Sequence, residues 1–205
     1  VKKAKAPYEI RRLLHSAFSF TYFGLGGFVL GIVSGILMKI MPFSKKSKLR
    51  IFHYILSKFM KSVLMSYPSI RRKIVNSTNE KFDKPAVIIA NHSSFLDILA
   101  VGLLSPKIIF LVSDWVYNSP IFGKGVRLAG FYPVSSGMDN GVEHLRDKVE
   151  QGFSIMVFPE GTRSEDNSIK RFHKGAFYLA EQLNLDIIPI VIHGYSEVCP
   201  KGDFI

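Results

Sequence analysis

The chain predicts an α/β fold: a central, mostly parallel sheet flanked by helices, preceded by an N-terminal membrane-associated helical segment. Three observations carry this. Short apolar runs alternate with helical patterns from residue 85 onward, as strand–helix repeats do. Residues 17–38 contain no charged side chain. Two of the apolar runs end in short polar turns, Asn91-His92-Ser93-Ser94 and Pro159-Glu160-Gly161, which would lie at one edge of such a sheet.

With 205 residues, of which 47% are hydrophobic and 17 are Phe, the chain can bury a domain core of about 120 residues and still carry an accessory segment. Residues 1–84 are read as that segment, basic and membrane-embedded or interfacial; residues 85–205 are read as the main domain. The chain lacks an initial Met and stops at Lys201-Gly-Asp-Phe-Ile205, so it reads as a piece of a longer protein. The formal charge of +11 is unevenly spread. Residues 1–84 hold 17 Lys and Arg against three acids, whereas residues 85–205 hold 10 against 13. This basic third flanks an apolar run and shows no nucleic-acid-binding motif, so it points to an anionic membrane surface and not to nucleic acid. With one cysteine, Cys199, and no His pair at ligand spacing, neither a disulfide framework nor a metal site is predicted.

From Ala17 to Met38 the charge-free run is 22 residues long, about 33 Å as a helix, enough to cross the hydrocarbon layer. Gly27, Gly31 and Gly35 share one face of that helix, as close packing in lipid requires. Positive residues flank both ends: Lys2, Lys3, Lys5, Arg11 and Arg12 before, Lys39, Lys45, Lys46, Lys48 and Arg50 after. A single span gets no orientation from this symmetry, whereas a re-entrant or in-plane hairpin with both ends on the cytoplasmic face fits it. Across residues 47–66, Leu49, Phe52, Ile55, Phe59 and Val63 form one stripe with Lys48, Lys58 and Lys61 off it. Such a helix either lies at the membrane interface or covers the main domain.

In the main domain the apolar runs Val87–Ala90, Ile108–Val112, Phe131–Val134, Ile155–Phe158 and Ile187–Ile192 are predicted strands. Helices are predicted over 95–104, 120–129, 139–151 and 174–184, the last with Ala176, Leu179, Ala180 and Leu183 on one stripe. His92 falls in the turn after the first strand and Asp97 in the helical turn that follows. On one continuous helix the two would point about 140° apart, but with His92 in the turn a carboxylate can reach back to the imidazole. Such a pair makes a general base that works near neutrality. Ser94-x-x-Asp97 is also a capping box, so Asp97 as a simple helix cap stays open.

Competing chemistries find little support. There is no Gly-x-Ser-x-Gly elbow, no base stands close to Cys199 in sequence, and Gly123-Lys124-Gly125 lacks the first glycine of a phosphate loop. A covalent enzyme intermediate is thus unsupported, although Ser93 and Ser94 adjoin His92.

Asn91-His92-x4-Asp97, followed some sixty residues later by Phe158-Pro-Glu-Gly-Thr-Arg-Ser164, closely resembles the glycerolipid acyltransferases of the 1-acylglycerol-3-phosphate type. Arg171-Phe-His-Lys-Gly-Ala-Phe177 and Ile188-Pro-Ile-Val191 extend the likeness in the same order, over roughly Pro85 to Val191. The resemblance implies a membrane-associated O-acyltransferase domain over 85–205. His92 would be its base, oriented by Asp97, with acyl transfer from acyl-CoA (acyl-coenzyme A) or acyl-carrier protein to a lysophospholipid-like acceptor. Glu160, Gly161, Thr162, Arg163 and Lys174 would bind the acceptor. Membrane lipids and the acyl carrier are the implied partners, and no metal or resident cofactor is implied. N–H groups near Ser94 and Phe95 are candidates for holding the oxyanion. One departure stands out: the Gly-x-x-Phe-x-x-Arg motif usual in the family appears here as Gly130-Phe-Tyr-Pro-Val-Ser-Ser136, with Arg127 displaced. Acylation of a lipid without phosphate, or a non-catalytic lipid-binding module, are the alternatives this leaves.

Overall fold

Val87-Ile-Ile-Ala90 is the kind of run that a strand buried on both faces accommodates. In the computed structural model, which describes residues 6–67 and 70–199, it forms β1 (Val87–Ala90), with all four residues buried. The sheet has five strands in the order β3-β2-β4-β1-β5, and every pairing is parallel. Its other members are β2 (Ile108–Val112), β3 (Tyr132–Pro133), β4 (Ser154–Val157) and β5 (Ile187–Ile190). The mostly parallel sheet flanked by helices is therefore what the chain forms.

The strand ends differ from expectation for local reasons. Pro133 offers no N–H to extend the ladder, so β3 stops there and Val134–Ser136 turn as a short 3-10 helix into Gly137. β5 tolerates Pro189 because it is an edge strand, paired with β1 alone. It ends at Ile190, and Val191 is 80% exposed.

α1 (Ala6–Ile40) and α2 (Lys45–Met65) precede the sheet; α3 (Leu96–Val101), α4 (Asp114–Tyr117), α5 (Gly123–Leu128), α6 (Met138–Glu150) and α7 (Gly175–Leu183) cover it. The single helix predicted over 120–129 starts late, at Gly123, and α4 before it was not anticipated: four residues are too few to show a period. Lys2, Lys3, Lys5 and the stretch Lys201–Ile205 lie outside the described residues.

α2 covers the domain. Its buried face is Leu49, Phe52, His53, Met60, Val63 and Leu64, and its apolar members join one core with Ile88, Leu99, Ile109 and Ile155. Ile55, placed on the stripe by spacing, is 39% exposed; the buried stripe is rotated toward Met60 and Leu64. His53 Nε2 bonds the Ala129 carbonyl at 2.8 Å, and Ser57 Oγ donates to the Gly102 carbonyl at 2.9 Å.

α1 returns antiparallel along α2, joined by Ser19–Ser66, Tyr22–Ser62 and Lys48–Met38 hydrogen bonds. Its glycine face meets protein, not a partner span in lipid. A Cβ on Gly27 would lie 3.1 Å from the Phe122 ring, and one on Gly31 would lie 3.3 Å from the backbone nitrogen of Gly125 in α5. The glycines therefore seat α1 against α5 of the sheet domain, correcting the lipid-packing expectation. The opposite side of α1 leaves Leu14, Phe18, Leu25, Val29, Ile36 and Ile40 more than half exposed. Residues Leu14–Ile40 are long and apolar enough to cross a membrane.

Candidate active site

Because all strands are parallel, their C-terminal ends share one edge, where ligands of open α/β sheets bind. The register shows what stands there. Val112 pairs with Pro133, Phe110 with Met156, Ile89 with Val157 and Ala90 with Ile190. Just past the strand ends stand the turns that carry His92, Asp114, Ser135, Glu160 and Ile192. Hydrogen bonds join these turns in pairs: Ser135 Oγ to Asp114 Oδ1, His92 N to Glu160 Oε1 at 2.8 Å, and Ile192 N to Asn91 Oδ1 at 2.8 Å.

His92 and Asp97 are brought together. Nδ1 lies 3.0 Å from Asp97 Oδ2, and since a carboxylate only accepts, Nδ1 carries the proton. The His92 side chain is 14% exposed and Asp97 is fully buried, which turns Nε2 toward the open edge. Phe158 stacks on the imidazole with centroids 4.0 Å apart, fixing its plane. Asp97 Oδ2 also accepts from the N–H groups of Ser93 and Ser94, both at 2.8 Å. The carboxylate thus both ties down the turn and holds the imidazole, so the two readings of Asp97 coexist. Its other oxygen, Oδ1, is buried and finds no partner among the described residues.

Of the two N–H groups expected to hold the oxyanion, that of Ser94 is turned inward onto Asp97 Oδ2. Burial pushes the Cys199 thiol above its ordinary pKa, offset in part by Arg163 and by its bonds with Ser94 and Phe95. A buried, protonated Cys199 is no nucleophile. It is a packing group whose carbonyl accepts from Ser94 Oγ at 2.8 Å.

The second motif is bound to the first. Glu160, 3% exposed, accepts from His92 N through one oxygen and from Lys170 N at 3.0 Å through the other. Ser164 N–H returns to the His92 carbonyl at 2.7 Å. Expected among the groups that hold the acceptor, Glu160 instead has both oxygens committed to backbone, as a brace between the two loops. Gly161 takes φ +70°, a conformation that favours glycine, and a Cβ there would press on the His173 ring at 3.3 Å. Thr162 is exposed, Arg163 half-buried, and Lys174 exposed at the start of α7. Arg127 does not substitute for the missing motif arginine. It donates to the Tyr117 carbonyl at 2.7 Å with its guanidinium over the Tyr117 ring.

Phe158 and Ser164, quoted as the ends of the second motif, were given no role by sequence reasoning. Their position in the motif, flanking Pro159–Arg163, was the available signal. Among the described residues no group of three or more His, Cys, Asp or Glu gathers as a metal site requires.

Fold and site together define a parallel α/β protein whose strand edge carries a carboxylate-held imidazole. The chain belongs to the Acyltransferase family, whose model matches residues 71–193. A chloroplastic 1-acyl-sn-glycerol-3-phosphate acyltransferase of Arabidopsis thaliana is 31% identical over 159 residues, 75% of this chain and 44% of that protein. The human 1-acyl-sn-glycerol-3-phosphate acyltransferase beta is 28% identical over 120 residues, 55% of this chain and 43% of that protein. The chain thus spans less than half the length of these relatives. The crystal structure of the 1-acyl-sn-glycerophosphate acyltransferase PlsC from Thermotoga maritima shares the fold, with a TM-score of 0.80 at 22% identity over 95% of this chain and 80% of that one.

Proposed function

We propose that this chain is the catalytic part of a membrane-associated O-acyltransferase, which moves a fatty acyl group from acyl-CoA or acyl-carrier protein to the hydroxyl of a lysophospholipid-type acceptor. The observation that carries the reading is the His92 Nδ1–Asp97 Oδ2 bond at the sheet edge, braced by Glu160 from the second motif. His92 Nε2 takes the proton of the acceptor hydroxyl as its oxygen attacks the thioester carbonyl. The tetrahedral intermediate collapses, the C–S bond breaks, and the imidazolium returns the proton to the departing sulfur. Asp97 offsets the imidazolium charge through its bond to Nδ1. Gly161, Thr162, Arg163 and Lys174 are assigned to the acceptor's phosphate, Arg163 as the bidentate donor.

The α1–α2 hairpin is assigned to the membrane as an in-plane anchor, its docked glycine face against α5 and its apolar outer face in lipid on the cytoplasmic side. A helix seated along a water-facing domain cannot also be surrounded by lipid, which favours this over a free span.

The test is acyl transfer from labelled acyl-CoA to a lysolipid panel, read by mass analysis of the products. His92→Ala is expected to lose about 10²–10⁴-fold in rate with membrane attachment retained. Asp97→Asn is expected to lose orders of magnitude with the fold intact. Unchanged turnover in His92→Ala would refute the base assignment.

A further inference from the structure

One aromatic ring ties α1 to the His92 turn. Phe23 packs edge-on against Phe95, the residue after Ser94, with centroids 5.1 Å apart, and against Phe122 at 4.8 Å. From Phe122 the chain follows the glycine face of α1. The Phe122 ring lies at Gly27, the Gly125 backbone at Gly31, and the Lys124 side chain stretches from Gly31 to Gly35. α4 is fastened to the same stretch: Gly123 N donates to the Ser119 carbonyl at 2.8 Å, and Arg127 Nη1 to the Tyr117 carbonyl at 2.7 Å. α4 and α5 thus form one hydrogen-bonded block seated on α1.

That block turns two large apolar side chains outward. Trp115 is 64% exposed, and Ile121, next to Phe122, is exposed as well. Its charge is one-sided. Residues 115–138 carry Lys124 and Arg127 and no acid, in a domain where acids outnumber bases by 13 to 10. Arg127 is engaged with Tyr117, whereas Lys124 is exposed at the end of a stem laid on α1. The acid that precedes the stretch, Asp114, accepts from Ser135 Oγ. A tryptophan, an aliphatic side chain and a lysine able to snorkel are the groups that settle at the headgroup level of a bilayer.

We propose that Trp115–Lys124 is a second membrane contact, lodged between the headgroups and acyl chains of an anionic lipid surface, an inference that rests on the reading of α1 as an anchor in lipid. The seam along Gly27–Gly35 makes the block continuous with that anchor, and the lack of acids suits an anionic surface. Because Phe23 touches both Phe122 and Phe95, the two contacts together hold the His92 turn at the membrane, where a lipid acceptor resides.

Trp115 is the one tryptophan of the chain, so its fluorescence reports on this contact alone. The full chain is reconstituted into vesicles of phosphatidylcholine and phosphatidylglycerol, with or without lipids brominated along the acyl chain, and acrylamide serves as the quencher from water. Brominated lipid is expected to quench Trp115, most strongly with bromine near the headgroup, and acrylamide to quench it less than in the chain unfolded in urea. Ile121→Asp, a change at an exposed position, is expected to lose most of the bromolipid quenching with thermal melting unchanged. Phe18→Trp in a Trp115→Phe background moves the reporter to the outer face of α1 and tests the anchor itself. If brominated lipid quenches that reporter while Trp115 answers only to acrylamide, or to neither quencher because protein covers it, the second contact is overturned and the anchor stands. Quenching of Trp115 left unmoved in folded Ile121→Asp overturns it too. An α1 reporter that brominated lipid does not reach defeats the anchor reading and the inference with it.

Discussion

Glu160→Gln separates a brace from a substrate ligand. The wild-type carboxylate is 3% exposed and accepts two backbone N–H bonds, from His92 at 2.8 Å and Lys170 at 3.0 Å. A glutamine keeps one acceptor oxygen and turns its amide donor toward the other N–H. One charge-assisted bond, about 1.5–3 kcal/mol, is lost, and two donors are left facing each other in a buried site. Relaxation of the loop recovers part of this, so the net destabilisation is about 2–4 kcal/mol, a fall in Tm of about 4–16 °C for a domain of this size. Release of His92 also loosens the base, and a displacement of about 1 Å costs on the order of 10²-fold in rate. The assays are thermal unfolding in detergent and acyl transfer at saturating acceptor, where a ligand's loss would vanish into KM. A variant with unchanged Tm and unchanged kcat, and a raised KM for the acceptor alone, would refute the brace and restore Glu160 to the binding site.

Three further outcomes follow from the packing. Burial holds His53 down to about 4, against a bond to the Ala129 carbonyl that raises it and Lys148 that lowers it further. The unfolded chain therefore binds this proton first as pH falls. Stability is unaffected above about 6.5 and declines toward 4, by about 3 kcal/mol in all for that shift; Tm measured between pH 7 and 5 should fall less steeply in His53→Gln, and equal slopes would contradict it. Gly31→Leu puts a side chain where a Cβ is already 3.3 Å from the Gly125 backbone, so α1 must lift off α5 at about 1–3 kcal/mol. Faster proteolysis between α1 and α2 is the readout, and wild-type resistance would show that α1 is not seated there. Washing membranes in molar salt, which screens charge but not apolar burial, should leave the protein attached; release would show that only its basic residues hold it.

Strand positions were legible because each is a local apolar run: β1 and β2 fall where Val87–Ala90 and Ile108–Val112 stand in the sequence. The His92–Asp97 juxtaposition was legible too, since five residues in a strand-to-helix turn leave few ways to arrange the pair. Pro133 and Gly137 shorten β3 by a rule visible in hindsight, whereas α4 carries no periodic signal at all.

What the chain could not disclose in one dimension depends on partners distant along it. The glycine face of α1 is a local pattern, but that it meets Gly125 rather than another lipid-borne helix depends on residues nearly a hundred positions away. Glu160 reads as a ligand by type, and only the register that sets β4 beside β1 shows its oxygens committed to His92 and Lys170. Periodicity and motif spacing record how each segment meets water or core; which segments become neighbours is decided by the order in which the strands assemble.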